Sequence, residues 1–175
     1  MKKIIKSTTG ILFYCICLFL TSTTAKAYTL NGYKFSSPNS ISYYVDSSLS
    51  SYSVNTYLKK WKRAYSSFGF TNALTYSSAN IYFTSFSSVD NGTYGVTYHN
   101  QNGAEKHMII FYKAFFDASS SVRNETIVHE CGHALGLAHP SAPVNMSAAV
   151  MRATGFNGKA YPLSDDISGI NALYY

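Results

Sequence analysis

The stretch HECGHALGLAHP, residues 129–140, decides how this chain folds and where its chemistry lies. His129 and His133 are four residues apart, so on a helix both imidazoles lie on one face, with their Cβ atoms about 6 Å apart. That spacing lets both rings reach one zinc ion at roughly 2.0–2.1 Å. His139 follows six residues later and is the third candidate ligand. The stretch therefore predicts a metal site with three imidazole ligands.

Other positions of the same stretch support that site. Glu130 lies beside the first ligand, where its carboxylate can take a proton from a water at the metal. Gly136 can adopt positive φ, so the helix can end there, and Pro140 keeps His139 out of helical geometry. Three protein ligands leave a fourth position open, which is typical of catalytic zinc. The alternative is a buried amphipathic helix with incidental histidines, and the further fixed residues at fixed offsets argue against it.

The first 27 residues have the pattern of a secretory signal peptide. Lysines open the chain, residues 11–20 form an almost unbroken apolar run, and Ala25-Lys26-Ala27 is a small-x-small cleavage site. A membrane anchor is the alternative, but the apolar run is short for a bilayer span. We therefore expect cleavage after Ala27, no stable membrane anchor, and secretion or association with the cell wall. Residues 28–175 are then expected to form one domain.

Removal of this segment changes the charge balance. The whole chain carries 14 basic and 8 acidic residues, a formal net charge of +6. Four of the basic residues lie in the first 27, so the remainder has a net charge of about +2 and no basic stripe. We therefore predict no nucleic-acid partner, and we expect a monomer.

Cysteine usage is also informative, because only Cys131 remains after cleavage. No internal disulfide is then expected, and the domain must fold on core packing and bound metal. Cys131 lies on a different helical face from His129. We interpret it as a packed, small apolar residue and not as a fourth ligand.

Hydrophobic periodicity predicts a small sheet packed on two helices, an α+β fold. Apolar residues at three- and four-residue spacing between residues 50 and 68 predict a long amphipathic helix that Gly69 ends. A second helix carries the histidines, with N-cap candidates at residues 119–121, and a third closes the chain, with Ser164 as its N-cap. Strands are predicted at residues 41–45, 80–86, 93–98 and 107–116, the last of them central.

Three stretches together resemble the matrixins, the family of matrix metalloproteinases and their bacterial relatives. They are HECGHALGLAHP at 129–140, AAVM at 148–151 and LSDDISGINALYY at 163–175. An extended histidine motif followed by a methionine turn is the metzincin pattern. The resemblance implies a zincin-like fold: a small, mostly parallel, twisted sheet with an edge strand, packed on a long helix and the motif helix, plus a C-terminal helix. It also implies a zinc metalloendopeptidase that acts on proteins or peptides.

The resemblance assigns roles to individual residues. It implies that a strand near residues 94–98 binds peptide by edge pairing, and that the loop after Met151 walls a side-chain pocket. His129, His133 and His139 are implied to be zinc ligands, and Glu130 is implied to be the general base. Met151, beneath the metal, and Gly136 are implied to support the site. The residues implied to bind substrate are Tyr94, Val96 and Tyr98.

The chain also departs from the family pattern. Arg152-Ala153 stands where many matrixins carry Tyr-Pro, so the pocket's preference is not implied. Matrixins often hold a second zinc and calcium ions, for which the candidates here are His99 and His107, with the acids Asp90 and Glu105 nearby.

Two alternatives stay open at this point. Matrixins tend to tie the mature N-terminus to an aspartate pair in the last helix, and Asp165 and Asp166 match that pair. Compensation of the helix dipole is the simpler interpretation. The second alternative concerns function: a secreted binding protein could keep the zinc fold without turnover. The intact Glu130 argues against it, because a binding protein needs no base.

Overall fold

A computed structural model of the chain describes residues 27–100, 104–141 and 147–175. The predicted signal peptide lies outside these residues except for Ala27, so its cleavage stays a prediction. Within the described ranges, no helix combines the length and the apolar character that a membrane crossing requires.

A mixed sheet forms one layer of the fold. The described strands are β1 (Thr29–Leu30), β2 (Ile41–Val45), β3 (Phe70–Asn72), β4 (Ile81–Phe86), β5 (Gly95–His99), β6 (His107–Tyr112) and β7 (Leu137–Ala138). Five of them form this sheet in the order β3-β2-β4-β6-β5, and every neighbouring pair is parallel except β5 with β6. The expected mostly parallel sheet with an edge strand is therefore confirmed, and the structure adds that the edge strand β5 is antiparallel to its neighbour.

The first helix differs from the prediction. The described α-helices are α1 (Val54–Lys59), α2 (Lys113–Asp117), α3 (Ser120–Ala134) and α4 (Ser164–Tyr174). The long helix expected over residues 50–68 is instead broken into the 3₁₀ turn Ser47–Tyr52, helix α1 and the 3₁₀ turn Lys60–Arg63. The break falls at Ser53, whose φ is +52°. Serines compete with the helix for backbone hydrogen bonds, which favours such an interruption.

The apolar face of this broken helix is nevertheless buried as predicted. Val54, Leu58 and Trp61 are all no more than 2% exposed. Trp61 also donates its indole N–H to the carbonyl of Val128 in α3 at 3.1 Å, which satisfies its only polar group. Cys131, on α3, is fully buried in the same core, and burial raises the pKa of its thiol well above the usual value. It packs as a small apolar residue.

The strand predicted over residues 107–116 ends early, at Tyr112. The chain then turns into α2, which places Phe115 in the core with its ring stacked on Phe111 at 4.4 Å. Strand β6 lies inside the sheet, between β4 and β5. Strand β3, which the prediction missed, has only three residues and little apolar character.

The N-terminal arm and the segment after α3 form a second, two-stranded sheet, in which β1 pairs antiparallel with β7. Gly136 makes this possible, because its φ is +108° and its Cβ position would lie 2.4 Å from the carbonyl oxygen of Tyr33. Helix α4 packs against both β1 and β7. Its N-cap is Leu163 and not Ser164, because the Asp166 carboxylate accepts the Leu163 N–H at 2.8 Å.

Candidate active site

Three imidazoles converge at the C-terminal end of α3. The Nε2 atoms of His129 and His133 lie 3.1 Å apart, and the Nε2 of His139 lies 3.1 Å from the first and 3.2 Å from the second. Three nitrogens at these separations can all lie roughly 2.0–2.1 Å from one point, which is the zinc–histidine bond length. In the described part of the chain, these residues form the only group of three or more potential metal ligands. The donor set therefore fits zinc.

The other ring nitrogens orient two of these imidazoles. Nδ1 of His129 donates to the carbonyl of Val150, and Nδ1 of His133 donates to the carbonyl of Leu137, each at 2.8 Å. A proton on Nδ1 leaves the Nε2 lone pair available for a metal. Burial also lowers the pKa of His129 and of His133 to about 4, so both rings are neutral at physiological pH. Both rings therefore have the tautomer and the protonation state that a metal ligand requires.

Glu130 lies in the same cleft and is 5% exposed. Burial raises the pKa of its carboxyl group, and a hydrogen bond from Thr97 acts in the opposite direction. The Thr97 hydroxyl lies 2.7 Å from Oε2 of Glu130. A buried carboxyl beside a metal site, with a pKa moved toward neutrality, is suited to proton transfer.

Met151 is buried beneath the histidine helix. An added Cβ at Gly132 would lie 2.3 Å from its sulfur, so the close approach needs glycine at that position of α3. The turn before it is held by Asp166, whose carboxylate accepts the N–H groups of Val150 at 2.7 Å and Met151 at 3.2 Å. Since the carbonyl of Val150 accepts from His129, Asp166 supports a zinc ligand through one intervening residue. Burial raises the pKa of Asp166 to about 6.

The two aspartates of α4 thus have contacts beyond the helix dipole. Asp165 accepts the backbone N–H of Tyr28 at 3.1 Å, so the start of the predicted mature chain lies at α4. Compensation of the dipole alone does not describe either residue.

A buried ion pair stands beside the metal site, and the sequence did not indicate it. The Arg152 guanidinium donates to the Glu125 carboxylate at 2.7 Å, and the two side chains are 5% and 2% exposed. Glu125 also accepts the N–H groups of Asn157 at 3.0 Å and Gly158 at 2.7 Å. It therefore ties the loop after Met151 to α3. The available signal was an acid one helical turn before His129, on the same face as this ligand.

A cleft of about 720 Å³ contains the site. The histidines and Glu130 form its floor, and the loop after Met151, including Arg152 and Phe156, forms one wall. Of the candidate substrate-binding residues, Tyr94 and Val96 line the cleft, and the Tyr94 ring packs edge-on against Phe156 at 5.1 Å. Tyr98 is 49% exposed and its side chain alternates to the face opposite that of Thr97.

The opposite wall of the cleft is the edge strand β5. Tyr112 N–H donates to the carbonyl of Tyr94, and Asn100 N–H donates to the carbonyl of Lys106, each at 3.0 Å. Hydrogen-bonded pairs alternate with non-bonded pairs in an antiparallel ladder, so with the observed register the backbone groups of even-numbered residues face β6. The residues whose N–H and C=O groups point to the open edge are therefore Gly95, Thr97 and His99. They are one residue out of phase with the candidates Tyr94, Val96 and Tyr98.

His99 and His107, the candidates for a second zinc, face each other across β5 and β6. Their Nδ1 atoms lie 2.9 Å apart and are within hydrogen-bonding distance of each other. The nearby acids lie elsewhere: Asp90 is 3.9 Å from Lys113, and Glu105 accepts the N–H of Ser36 at 2.9 Å. No third ligand joins this histidine pair within the described residues. The second zinc and the calcium stay untested expectations.

Comparison with protein families extends these observations to most of the chain. The model of the family described as Matrixin, Peptidase_M10, matches residues 32–175. A comparison with curated proteins gives no match. The matched region covers strand β5, the loop after Met151, all three imidazoles and helix α4, so the family assignment and the geometry concern the same residues. The chain belongs to the matrixin family and is a zinc metalloendopeptidase.

Proposed function

We propose that residues 1–27 direct secretion of this chain, and that the mature protein cleaves peptide bonds with Glu130 as the general base. The main support for the catalytic part of this proposal is the geometry of the histidines. Three neutral imidazoles present their Nε2 atoms to one point, at 3.1–3.2 Å from one another, in the cleft that also contains the buried carboxyl group of Glu130. A metal site built for binding alone would need no such group.

The protein's own residues account for the proton transfers. His129, His133 and His139 would hold the zinc ion, which when bound supplies Lewis-acid polarisation of the substrate carbonyl and acidifies water. Glu130 accepts a proton from the attacking water and later donates it to the leaving amine. Its raised pKa brings the carboxyl group closer to a range in which it can do both. The carboxyl is buried, so its exchange of protons with bulk solvent is limited.

The substrate is a peptide in extended conformation along the open edge of β5. Gly95 and Thr97 direct backbone donors and acceptors to that edge, so the peptide adds a strand to the sheet. Its side chains alternate, and one of them enters the cleft between α3 and the loop that contains Arg152. Sequence-independent backbone pairing supports a protease that recognises unfolded or extended segments.

The role of Glu130 is tested with Glu130→Gln, which removes the base and keeps the side-chain shape. We expect this variant to bind one zinc ion per chain and to lose roughly 10²- to 10⁴-fold in the rate of cleavage of an unfolded protein. Asp117→Asn is a matched control, because Asp117 is exposed and pairs with Lys113 outside the cleft. Retention of activity by Glu130→Gln would exclude it as the base. A zinc-loaded wild-type protein that captures unfolded protein without cleaving it would instead support a binding protein.

Secretion is tested by expressing the whole chain and sequencing the N-terminus of the exported product. We expect the product to start at Tyr28, whose nitrogen then carries the positive charge 3.1 Å from the Asp165 carboxylate. A product that keeps residues 1–27 and sediments with membranes would contradict this part of the proposal.

A further inference from the structure

The contact between the edge strand β5 and Glu130 is more specific than packing requires. Oγ1 of Thr97 lies 2.7 Å from Oε2 of Glu130 and 3.0 Å from the main-chain oxygen of the same residue. A threonine hydroxyl has one proton to donate. The shorter distance is to the carboxylate, as expected for a charge-assisted hydrogen bond.

Strand β5 also makes room for the Glu130 side chain. An added Cβ at Gly95 would lie 3.0 Å from Cγ and 3.3 Å from Cδ of Glu130, tighter than an ordinary contact. Gly95 and Thr97 are two residues apart, so they present the same face of the strand to α3. Gly95 thus leaves space for the Cγ and Cδ atoms of Glu130, and Thr97 donates a hydrogen bond to one of its carboxylate oxygens.

We propose that Thr97 is a positioning residue for Glu130. This inference rests on the proposed function of Glu130 as the base. The Thr97 hydroxyl occupies Oε2, which leaves Oε1 as the oxygen that takes the proton from water. The same residue directs its backbone groups to the open edge, where the substrate pairs. The edge strand therefore supports the substrate with its backbone and aligns the base with its side chains.

The test compares Thr97→Val with Thr97→Ser. Valine has the shape of threonine without the donor, whereas serine keeps the hydroxyl. The matched control is Thr71→Val, in strand β3 at the opposite edge of the sheet and outside the cleft. Steady-state kinetics on a peptide substrate, zinc content and thermal unfolding are measured for all three variants.

We expect Thr97→Val to lower kcat roughly 10- to 100-fold, the effect of losing a hydrogen bond to a charged group. KM, zinc content and the thermal midpoint stay close to those of the wild type, because backbone pairing and the histidines are unchanged. Thr97→Ser retains kcat within about threefold, and Thr71→Val is unaffected. A Thr97→Val variant with unchanged kcat, or a Thr97→Ser variant as slow as it, would overturn the proposal.

A crystal structure of zinc-loaded Thr97→Val separates this proposal from the assignment of Glu130 as base. If Thr97 positions the glutamate, the carboxylate leaves its place in the valine variant and keeps it in the serine variant. A carboxylate that stays in place in both variants overturns the role of Thr97 whether or not the wild type cleaves peptides. If the wild type does not cleave peptides but the carboxylate is displaced only in the valine variant, Glu130 is not a general base. Thr97 would then still hold the Glu130 carboxylate in place.

Discussion

Replacement of Arg152 by methionine is a direct test of what holds the wall of the cleft. The change removes the guanidinium that donates to Glu125 at 2.7 Å and keeps an unbranched apolar side chain. Glu125, 2% exposed, is then left as a buried carboxylate with only the N–H groups of Asn157 and Gly158 to stabilise its charge. The perturbation therefore removes one partner of a buried ion pair, together with the hydrogen bonds that the guanidinium donates to the carbonyls of Ala149 and Gly155.

The magnitude follows from burial and from the bonds that remain. Breaking a buried ion pair by removing one partner costs about 3–5 kcal/mol, because an uncompensated charge stays inside the protein. The two backbone N–H groups still solvate Glu125, so we expect the lower end, about 3 kcal/mol. For a chain of this size each kcal/mol lowers the thermal midpoint by roughly 2–4 °C, which predicts a fall of about 6–12 °C.

The assay is urea unfolding at a fixed free zinc concentration, since bound metal adds to stability by mass action. Trp61 is the only tryptophan of the chain and is fully buried, so its fluorescence reports on the core. The matched control is the double variant Glu125→Gln with Arg152→Met, which leaves no charge at the site. A neutral amide in place of the pair should cost only about 1 kcal/mol.

A loss of less than about 1 kcal/mol in Arg152→Met alone would show that the pair does not tie the loop to α3. A double variant as unstable as the single one would show the same. The same variants report on function. If the loop contacts the substrate as proposed, loosening of this wall should raise KM for peptide more than it lowers kcat, because the loop does not reach the reacting atoms.

Two further predictions concern stability. Gly136→Ala should lower the free energy of unfolding by about 2 kcal/mol or more, because φ is +108° and the new Cβ would meet the Tyr33 carbonyl. Gly32 also has positive φ but lies in open space, so Gly32→Ala should lower it by about half as much. Equal midpoints of the two variants in thermal unfolding would contradict this prediction. Burial lowers the pKa of His107 from 6.5 to about 4. The unfolded chain therefore binds a proton there that the folded chain does not, and the free energy of unfolding should fall as the pH drops from about 6.5 to 4, by about 3 kcal/mol in all. In His107→Phe this part of the loss should disappear from urea titrations, and an identical pH dependence in both proteins would show that His107 does not titrate as described.

The metal ligands illustrate what local sequence can predict. His129 and His133 are placed by helical spacing alone, and the conformational freedom of Gly136 accounts for the turn toward His139. Each of these inferences depends on neighbours within a few residues along the chain, so the three imidazoles converge as the motif predicts. The strands β2 and β4 were likewise predicted within one residue, because strong apolar alternation is a local signal.

Other features depend on residues far apart in sequence, and there the predictions were incomplete. The first predicted helix is interrupted at Ser53, whose φ of +52° separates the 3₁₀ turn Ser47–Tyr52 from helix α1 although the apolar periodicity continues. The expected peptide-binding strand near residues 94–98 lies at the sheet edge, but which of its residues direct their backbone groups outward is set by its partner β6. A sequence pattern contains no information on which neighbour a backbone group faces.

Spacing within residues 129–140 is enough to specify the three imidazoles, the adjacent carboxyl group and the turn that brings the last ligand back. The contacts that support this site arise from packing between distant parts of the chain. Three such contacts each join residues 15 or more positions apart: Thr97 with Glu130, Arg152 with Glu125, and Asp166 with the backbone of Met151. Burial makes these polar contacts strong, and burial exists only once the sheet and helices have packed.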